Sequence, residues 1–236
     1  MRLPPRIAHV GGDGAAPADH DILLVAGRAA VLPASRTLLV ADLHLGKAAT
    51  FRRAGIPVPE GSAQQDLARL ERLVADSHAR RVLVLGDLFH AARGCTAAVF
   101  AEFAAFRRRI ADTRVVLVVG NHDRSVGKLP DSLGLDDCVP TLDEPPYRFV
   151  HEPVGPLGDG GHDRFTIAGH LHPTVRIASP SGDRFVDRCF VAGGDTMILP
   201  AFGSFTGGQR IEPDAGMRLW IARDDGVVEG TALARR

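Results

Sequence analysis

The chain has 236 residues, of which 45% are hydrophobic and 24% charged, a balance that suits one substantial globular domain with a buried core. Its 28 basic and 28 acidic residues cancel to a formal net charge of zero, which argues against coating nucleic acid by bulk electrostatics but leaves room for a local basic track. No apolar run reaches the roughly 18 residues of a membrane span.

The opening stretch, Met1 to Arg6, lacks the apolar segment of a secretory signal. Residues 1–20, rich in Gly, Pro and Ala, read as a flexible arm ahead of a single domain over 21–236. Ile22 to Val25 and Thr37 to Ala41 read as strands. Ser62 fits a helix cap with Gln65 as its reciprocal partner, and Leu67, Leu70, Leu73 and Val74 form the apolar stripe that follows. Val82 to Leu85 is a buried-type strand, Thr96 caps a second helix with the stripe Val99, Phe103, Phe106 and Ile110, and Val115 to Val119 is another strand. Alternation of strand and helix favours a largely parallel sheet. The second half carries short strands at Tyr147 to Val150, Phe165 to Ala168, Thr174 to Ile177, Cys189 to Val191, Met197 to Leu199, Arg218 to Ala222 and Val227-Val228, which suggests a second, more antiparallel sheet. Residues 152–164 read as a surface loop. Cys95, Cys138 and Cys189 are scattered and form no CxxC pair, so they read as free thiols of a cytoplasmic protein.

Polar residues cluster just after the predicted strands: Asp42 and His44, Gly86-Asp87, Gly120-Asn121-His122-Asp123, His151, and Gly169-His170-Leu171-His172. The carboxyl ends of strands are where α/β sheets bind ligands, so these blocks meet at one edge. Asp42 and His44 stand two apart, as do His170 and His172, and in extended chain each pair points to one side. Imidazole mixed with carboxylate suits manganese, iron or zinc, whereas a calcium site would not need so many histidines. The glycines before Asp87, Asn121 and His170 permit tight turns. Any one block alone would read as an ordinary turn or cap.

The ordered set resembles the calcineurin-like metallophosphoesterase pattern D-x-H, G-D, G-N-H-D/E, H and G-H-x-H, with every block present. The resemblance implies an α/β fold of two sheets packed face to face and flanked by helices, a four-layer αββα arrangement. It implies that Asp42, His44, Asp87 and His172 hold one divalent metal and that Asp87, Asn121, His151 and His170 hold a second. His122 would then face the scissile phosphate and Asp123 would orient His122. Two such cations clamp a phosphate and make hydroxide available near neutral pH for in-line attack on phosphorus. Within the family, Ala41 to Lys47, Gly55 to Pro59, Gly86 to His90, His151-Glu152-Pro153, Gly169 to Pro173 and Leu199 to Gly203 are similar to the ligase-associated DNA damage response endonucleases, bacterial enzymes linked to a DNA ligase and an Lhr-type helicase. That likeness implies a manganese-dependent phosphodiesterase acting on DNA in repair, with iron, zinc or magnesium as other metals. The alternatives are a phosphomonoesterase or a nucleotide or cyclic-nucleotide hydrolase, and a non-catalytic scaffold or helicase- or ligase-binding subunit.

Lys47, Arg52, Arg53, Arg93 and Arg124 lie near the motif loops and are candidates for phosphate-backbone contacts, with solvated surface charge as the plain alternative. His90 either touches substrate or supports the site. Gly46-Lys47 is no Walker loop, because Ala48 stands where Ser or Thr is needed, and Pro153 rules out a zinc-protease helix at His151-Glu152. Phe202 to Gly208 is either a substrate-side loop or a tight turn.

Overall fold

Alternating apolar residues place two β-sheets back to back. The computed structural model describes residues 21–58, 61–155, 157, 164–178, 184–212 and 214–234. The proposed arm at 1–20 lies outside them, as does most of the 152–164 loop. The first sheet runs β1 (Leu23–Val25), β2 (Ala29–Leu32), β3 (Thr37–Val40), β4 (Arg81–Leu85), β5 (Arg114–Val118) and β6 (Asp137–Val139). β3 to β6 are parallel, as the strand–helix alternation predicts. β1, β2 and β3 form an antiparallel meander instead, because β2 follows β1 through a short turn with no helix to return the chain.

The second sheet contains β7 (Leu142–Glu144), β8 (Tyr147–Phe149), β9 (Phe165–Ala168), β10 (Pro173–Ala178), β11 (Arg184–Gly193), β12 (Thr196–Ile198), β13 (Gln209–Arg210), β14 (Met217–Ala222) and β15 (Val227–Glu229). Hairpin pairings dominate it, but β8 with β9 and β9 with β12 are parallel. These parallel pairs point the carboxyl ends of three strands the same way.

The period-two pattern sorts the strands by face. Leu83, Leu85, Val116 and Val118 point inward and meet Phe149, Phe165, Ile167, Phe190, Met197 and Trp220 from the second sheet. Val82, Val84, Val115 and Leu117 point outward and are covered by two amphipathic helices, α2 (Ser62–Ser77) and α3 (Ala97–Arg109). α2 supplies Leu67, Leu70, Leu73 and Val74, and α3 supplies Phe103 and Phe106. Thr96 caps α3 as expected, its hydroxyl accepting from Val99 N at 3.3 Å. Ser62 does not cap α2: it is the first helical residue, and Gly61 is the cap in a left-handed conformation. Shorter helices α1 (Lys47–Arg53) and α4 (Asn121–Val126) follow β3 and β5. Over the outer face of the second sheet the fourth layer is thin among the described residues, with only the four-residue α5 (Thr231–Ala234) and flanking apolar side chains.

Phe149 is fully buried between the sheets. Phe149→Ala is expected to cost about 3–5 kcal/mol in urea unfolding. Val228→Ala, at a side chain 47% exposed, is expected to stay within about 0.5 kcal/mol.

Candidate metal centre

β3, β4, β5, β8 and β9 end at one edge of the paired sheets, and the residues that follow them converge there. Backbone bonds lock the approach: Asp42 N donates to Gly86 O at 3.1 Å, His44 N to Asp87 O at 2.8 Å and Gly169 N to His151 O at 3.0 Å. Asp42, His44, Asp87 and His151 are all buried.

The expected extended chain at Asp42–His44 and His170–His172 is absent. Asp42, His44, Asp87, His170 and His172 have φ of 57°, 50°, 52°, 70° and 47°, making five of the eight left-handed non-glycine residues among those described. The chain kinks at each of them, so alternate residues still reach one point. Such conformations cost roughly 1–3 kcal/mol each and persist where surroundings over-determine them. They crowd at this edge because several polar groups must be aimed at the same small volume.

Two donor sets result, and Asp87 stands between them. In the first, donor atoms of Asp42, His44, Asp87 and His172 all lie within 4.8 Å of one another. His172 Nε2 is 3.2 Å from both His44 Nε2 and Asp42 Oδ1, and Asp87 Oδ2 is 3.8 Å from His44 Nε2. In the second, His151 Nε2 lies 2.9 Å from Asn121 Oδ1, 3.1 Å from His170 Nδ1 and 3.5 Å from Asp87 Oδ1. One oxygen of Asp87 thus faces each set.

The donor chemistry fits divalent cations. His151 Nδ1 sits 3.0 Å from the Leu85 carbonyl, which can only accept, so the ring proton is on Nδ1 and the bare Nε2 faces Asn121, His170 and Asp87. A nitrogen lone pair, a carboxylate oxygen and an amide oxygen then share one volume with no proton assigned between them. Ligands bound to one cation at roughly 2.0–2.2 Å lie roughly 3–3.5 Å apart, which matches most of these separations. Burial, followed by the neighbouring His172 and His122, holds His44 far down, at about 2, so its imidazole is neutral and free to offer a lone pair. Burial raises Asp87, and the nearby Asp42 carboxylate adds to that while His151 opposes it. Positive charge placed between two buried carboxylates relieves this cost.

His122 sits at the rim, its side chain 36% exposed. Its Nδ1 contacts the His90 carbonyl closely, which fixes the proton there and leaves Nε2 directed inward, 3.9 Å from Asp87 Oδ2. Its backbone N–H donates to Asp87 Oδ1 at 2.9 Å. His90 stacks on His122 at 4.8 Å between ring centroids and meets His44 edge-on at 5.3 Å, and burial holds its pKa down at about 4. Asp123 does not contact His122 as expected. Its carboxylate is buried and accepts from Phe89 N and Gly120 N, both at 3.0 Å, because the first turn of α4 faces the Asp87 turn. It therefore positions His122 only through the backbone.

Close packing explains two of the motif glycines. A β-carbon on Gly86 would lie 2.1 Å from His151 Nδ1, and one on Gly120 would lie 2.2 Å from Asp87 Oδ1. The His151 and Asp87 side chains rest on these bare α-carbons.

Of the basic candidates, Lys47 is half-buried and, with the exposed Arg52, lines a cavity beside His44. Arg53 donates to the Arg93 carbonyl at 2.7 Å and Arg124 to the Val119 carbonyl at 3.3 Å, while Arg93 is exposed. A sixth strand end also reaches this edge, at the Phe202 to Gly208 stretch that the sequence offers as a substrate-side loop or a tight turn. After β12 the chain turns at Phe202–Thr206, where Phe202 N donates to Ala41 O at 2.8 Å and Gly203 N to Asp42 O at 3.1 Å. Arg188 donates to the carbonyls of Gly203, Ser204 and Thr206, Arg28 and Arg69 to that of Phe202, and Asp66 accepts from Ser204 N and Oγ. Arg28, Asp66, Arg69 and Arg188 fall in no motif; a basic residue facing backbone carbonyls leaves no signature in the sequence.

A profile of the calcineurin-like phosphoesterase family matches residues 35–204. The crystal structure of the Pseudomonas putida nuclease MPE is 35% identical, has a TM-score of 0.72 and covers 94% of this chain and 98% of that one. Two further structures are more distant. A protein of unknown function from Aquifex aeolicus, AQ665, is 17% identical with a TM-score of 0.37 over 58% of this chain and 78% of that one. The E. coli phosphoesterase Yfce is 16% identical with a TM-score of 0.34 over 78% and 86%. No curated protein matches the chain.

Gly86→Ala, which intrudes on His151, is expected to lower bound metal measured by plasma mass spectrometry after loading. Gly207→Ala, with nothing within 4 Å of the added carbon, is expected to keep the wild-type content. Equal metal content in the two variants would remove His151 from the ligand set.

Proposed function

The chain belongs to the calcineurin-like phosphoesterase family and is a metal-dependent phosphoesterase, and from that premise we propose that it is a dinuclear phosphodiesterase, a DNA endonuclease that works in DNA repair with manganese. The observation that carries this reading is Asp87, whose two oxygens face two separate donor sets in a chain 35% identical to a nuclease. Asp42, His44, Asp87 and His172 would hold one ion, and Asp87, Asn121, His151 and His170 the other. When bound, the pair supplies Lewis-acid polarisation of the phosphate and a lowered pKa for water.

The protein's own groups do the rest. His122, with its Nδ1 proton committed to the His90 carbonyl, offers Nε2 to a phosphate oxygen or to the departing oxygen. His90, stacked against it, keeps the ring from turning away. Asp123 ties the first turn of α4 to the Asp87 turn, so His122 and the shared carboxylate move as one unit. Lys47, Arg52 and Arg93 supply positive charge for a polynucleotide backbone, while Arg53 and Arg124 already have carbonyl partners. No nucleophilic side chain is needed. A DNA ligase and an Lhr-type helicase are the proposed associates, on the strength of the sequence resemblance.

Metal-stripped protein reloaded with Mn, Mg, Zn or Fe tests this reading on single-stranded DNA, a chromogenic phosphodiester and a phosphomonoester. Manganese-dependent cleavage of diester and DNA is expected, abolished in Asp87→Ala and lowered about 100- to 10,000-fold in His122→Ala. Cleavage of the monoester alone would make the protein a phosphatase, and inactivity with both ions bound would make it a scaffold.

A further inference from the structure

A cavity of about 240 Å³ adjoins the metal centre, and His44 belongs to both. It lies among the first turns of α1, α2 and α3 and the Phe205 turn. Leu45, Val99 and Phe205 give it apolar surface, Lys47 and Arg52 give it positive charge, and Gln64 and Glu102, whose side chains bond to each other, give it a polar edge. Flat apolar faces, a donor and acceptor at one side and nearby cations are what a nucleoside and its phosphate require.

The turn that carries Phe205 is unusually well fixed for a surface element. Arg188 holds the carbonyls on either side, Ser204 at 3.0 Å and Thr206 at 2.7 Å. Asp66, 3% exposed, holds the Ser204 N–H at 2.8 Å and is itself paired with Arg69 at 2.8 Å. The Phe205 ring makes a T-shaped contact with Phe51 of α1 at 5.5 Å and lines the cavity. Placing three arginines and an aspartate beneath one short turn costs desolvation: burial, then Arg28 and Arg69, push the Arg188 guanidinium down to about 10. Closing a turn would need less. A rigid aromatic surface next to the reacting centre is what this network produces.

We propose that this cavity is a subsite for the nucleoside that flanks the scissile phosphodiester, with its base against Phe205, its edge at Gln64 and Glu102, and its backbone charge at Lys47 and Arg52. The proposal rests on the phosphodiesterase reading. Binding one unstacked nucleoside there selects single-stranded over duplex nucleic acid, because a paired base cannot leave its stack without cost.

Three chromogenic diesters with the same leaving group test it: the 4-nitrophenyl esters of thymidine 5′-phosphate, thymidine 3′-phosphate and methyl phosphate. The manganese-loaded protein is expected to cleave one thymidine ester with kcat/KM about 5- to 100-fold above the methyl ester. Phe205→Ala is expected to collapse that ratio toward one, and Gln64→Ala, on the exposed side of α2, to lower it several-fold with unfolding unchanged. Equal loss on all three esters in Phe205→Ala, or an unchanged ratio in both variants, would overturn the subsite. Wild-type protein that cleaves the methyl ester with no preference would also overturn it while leaving the phosphodiesterase reading intact, whereas no cleavage of any diester would sink both.

Discussion

Asp87 joins the two halves of the centre. Its two oxygens face different groups of electron-pair donors, and its backbone carbonyl and side chain also receive the N–H groups of His44 and His122. A buried carboxylate surrounded by other acceptors is unfavourable without positive charge, and that demand sets the surroundings. It fits the glycines that replace side chains at Gly86 and Gly120 and the left-handed turns that the backbone tolerates at five ligand candidates. These features each cost stability locally. The offset comes from two apolar layers beneath, one between the sheets and one under α2 and α3, which hold the strand ends in fixed register.

Much of the core and of the site is legible in the sequence because it depends on local pattern. The strand at Phe165 to Ala168 and the cap at Thr96 follow from alternation and from one hydroxyl in the right place. The ligand blocks stand out because each polar cluster ends an apolar run, and the structure brings those blocks to one edge. Elements decided by tertiary context are not legible. α1 is too short and uncapped to carry a helical signal. Ser62 misled because Gly61 could take the left-handed cap itself.

The site shows the same division. Spacing of two suggested extended chain at Asp42 and His44, yet the kinked backbone brings the same side chains together by another route. Asp123 reads as a partner for its neighbour His122, but short-range neighbours on a helix start point apart, and the carboxylate finds backbone N–H groups across the turn instead. The Phe202–Thr206 turn is legible only as a loop or a tight turn, without its partners. Its importance lies in carbonyls and N–H groups, which every residue has, held by arginines from positions 28, 69 and 188. Sequence pattern cannot register a backbone contact between such distant segments.

Sharing of Asp87 between two ions, as proposed above, is open to direct observation. Crystals of the manganese-loaded protein, measured for anomalous scattering near the manganese edge, address it directly. Two peaks about 3.5–4 Å apart are expected, one within bonding distance of each Asp87 oxygen. A single peak, or two peaks of which only one touches Asp87, would contradict it.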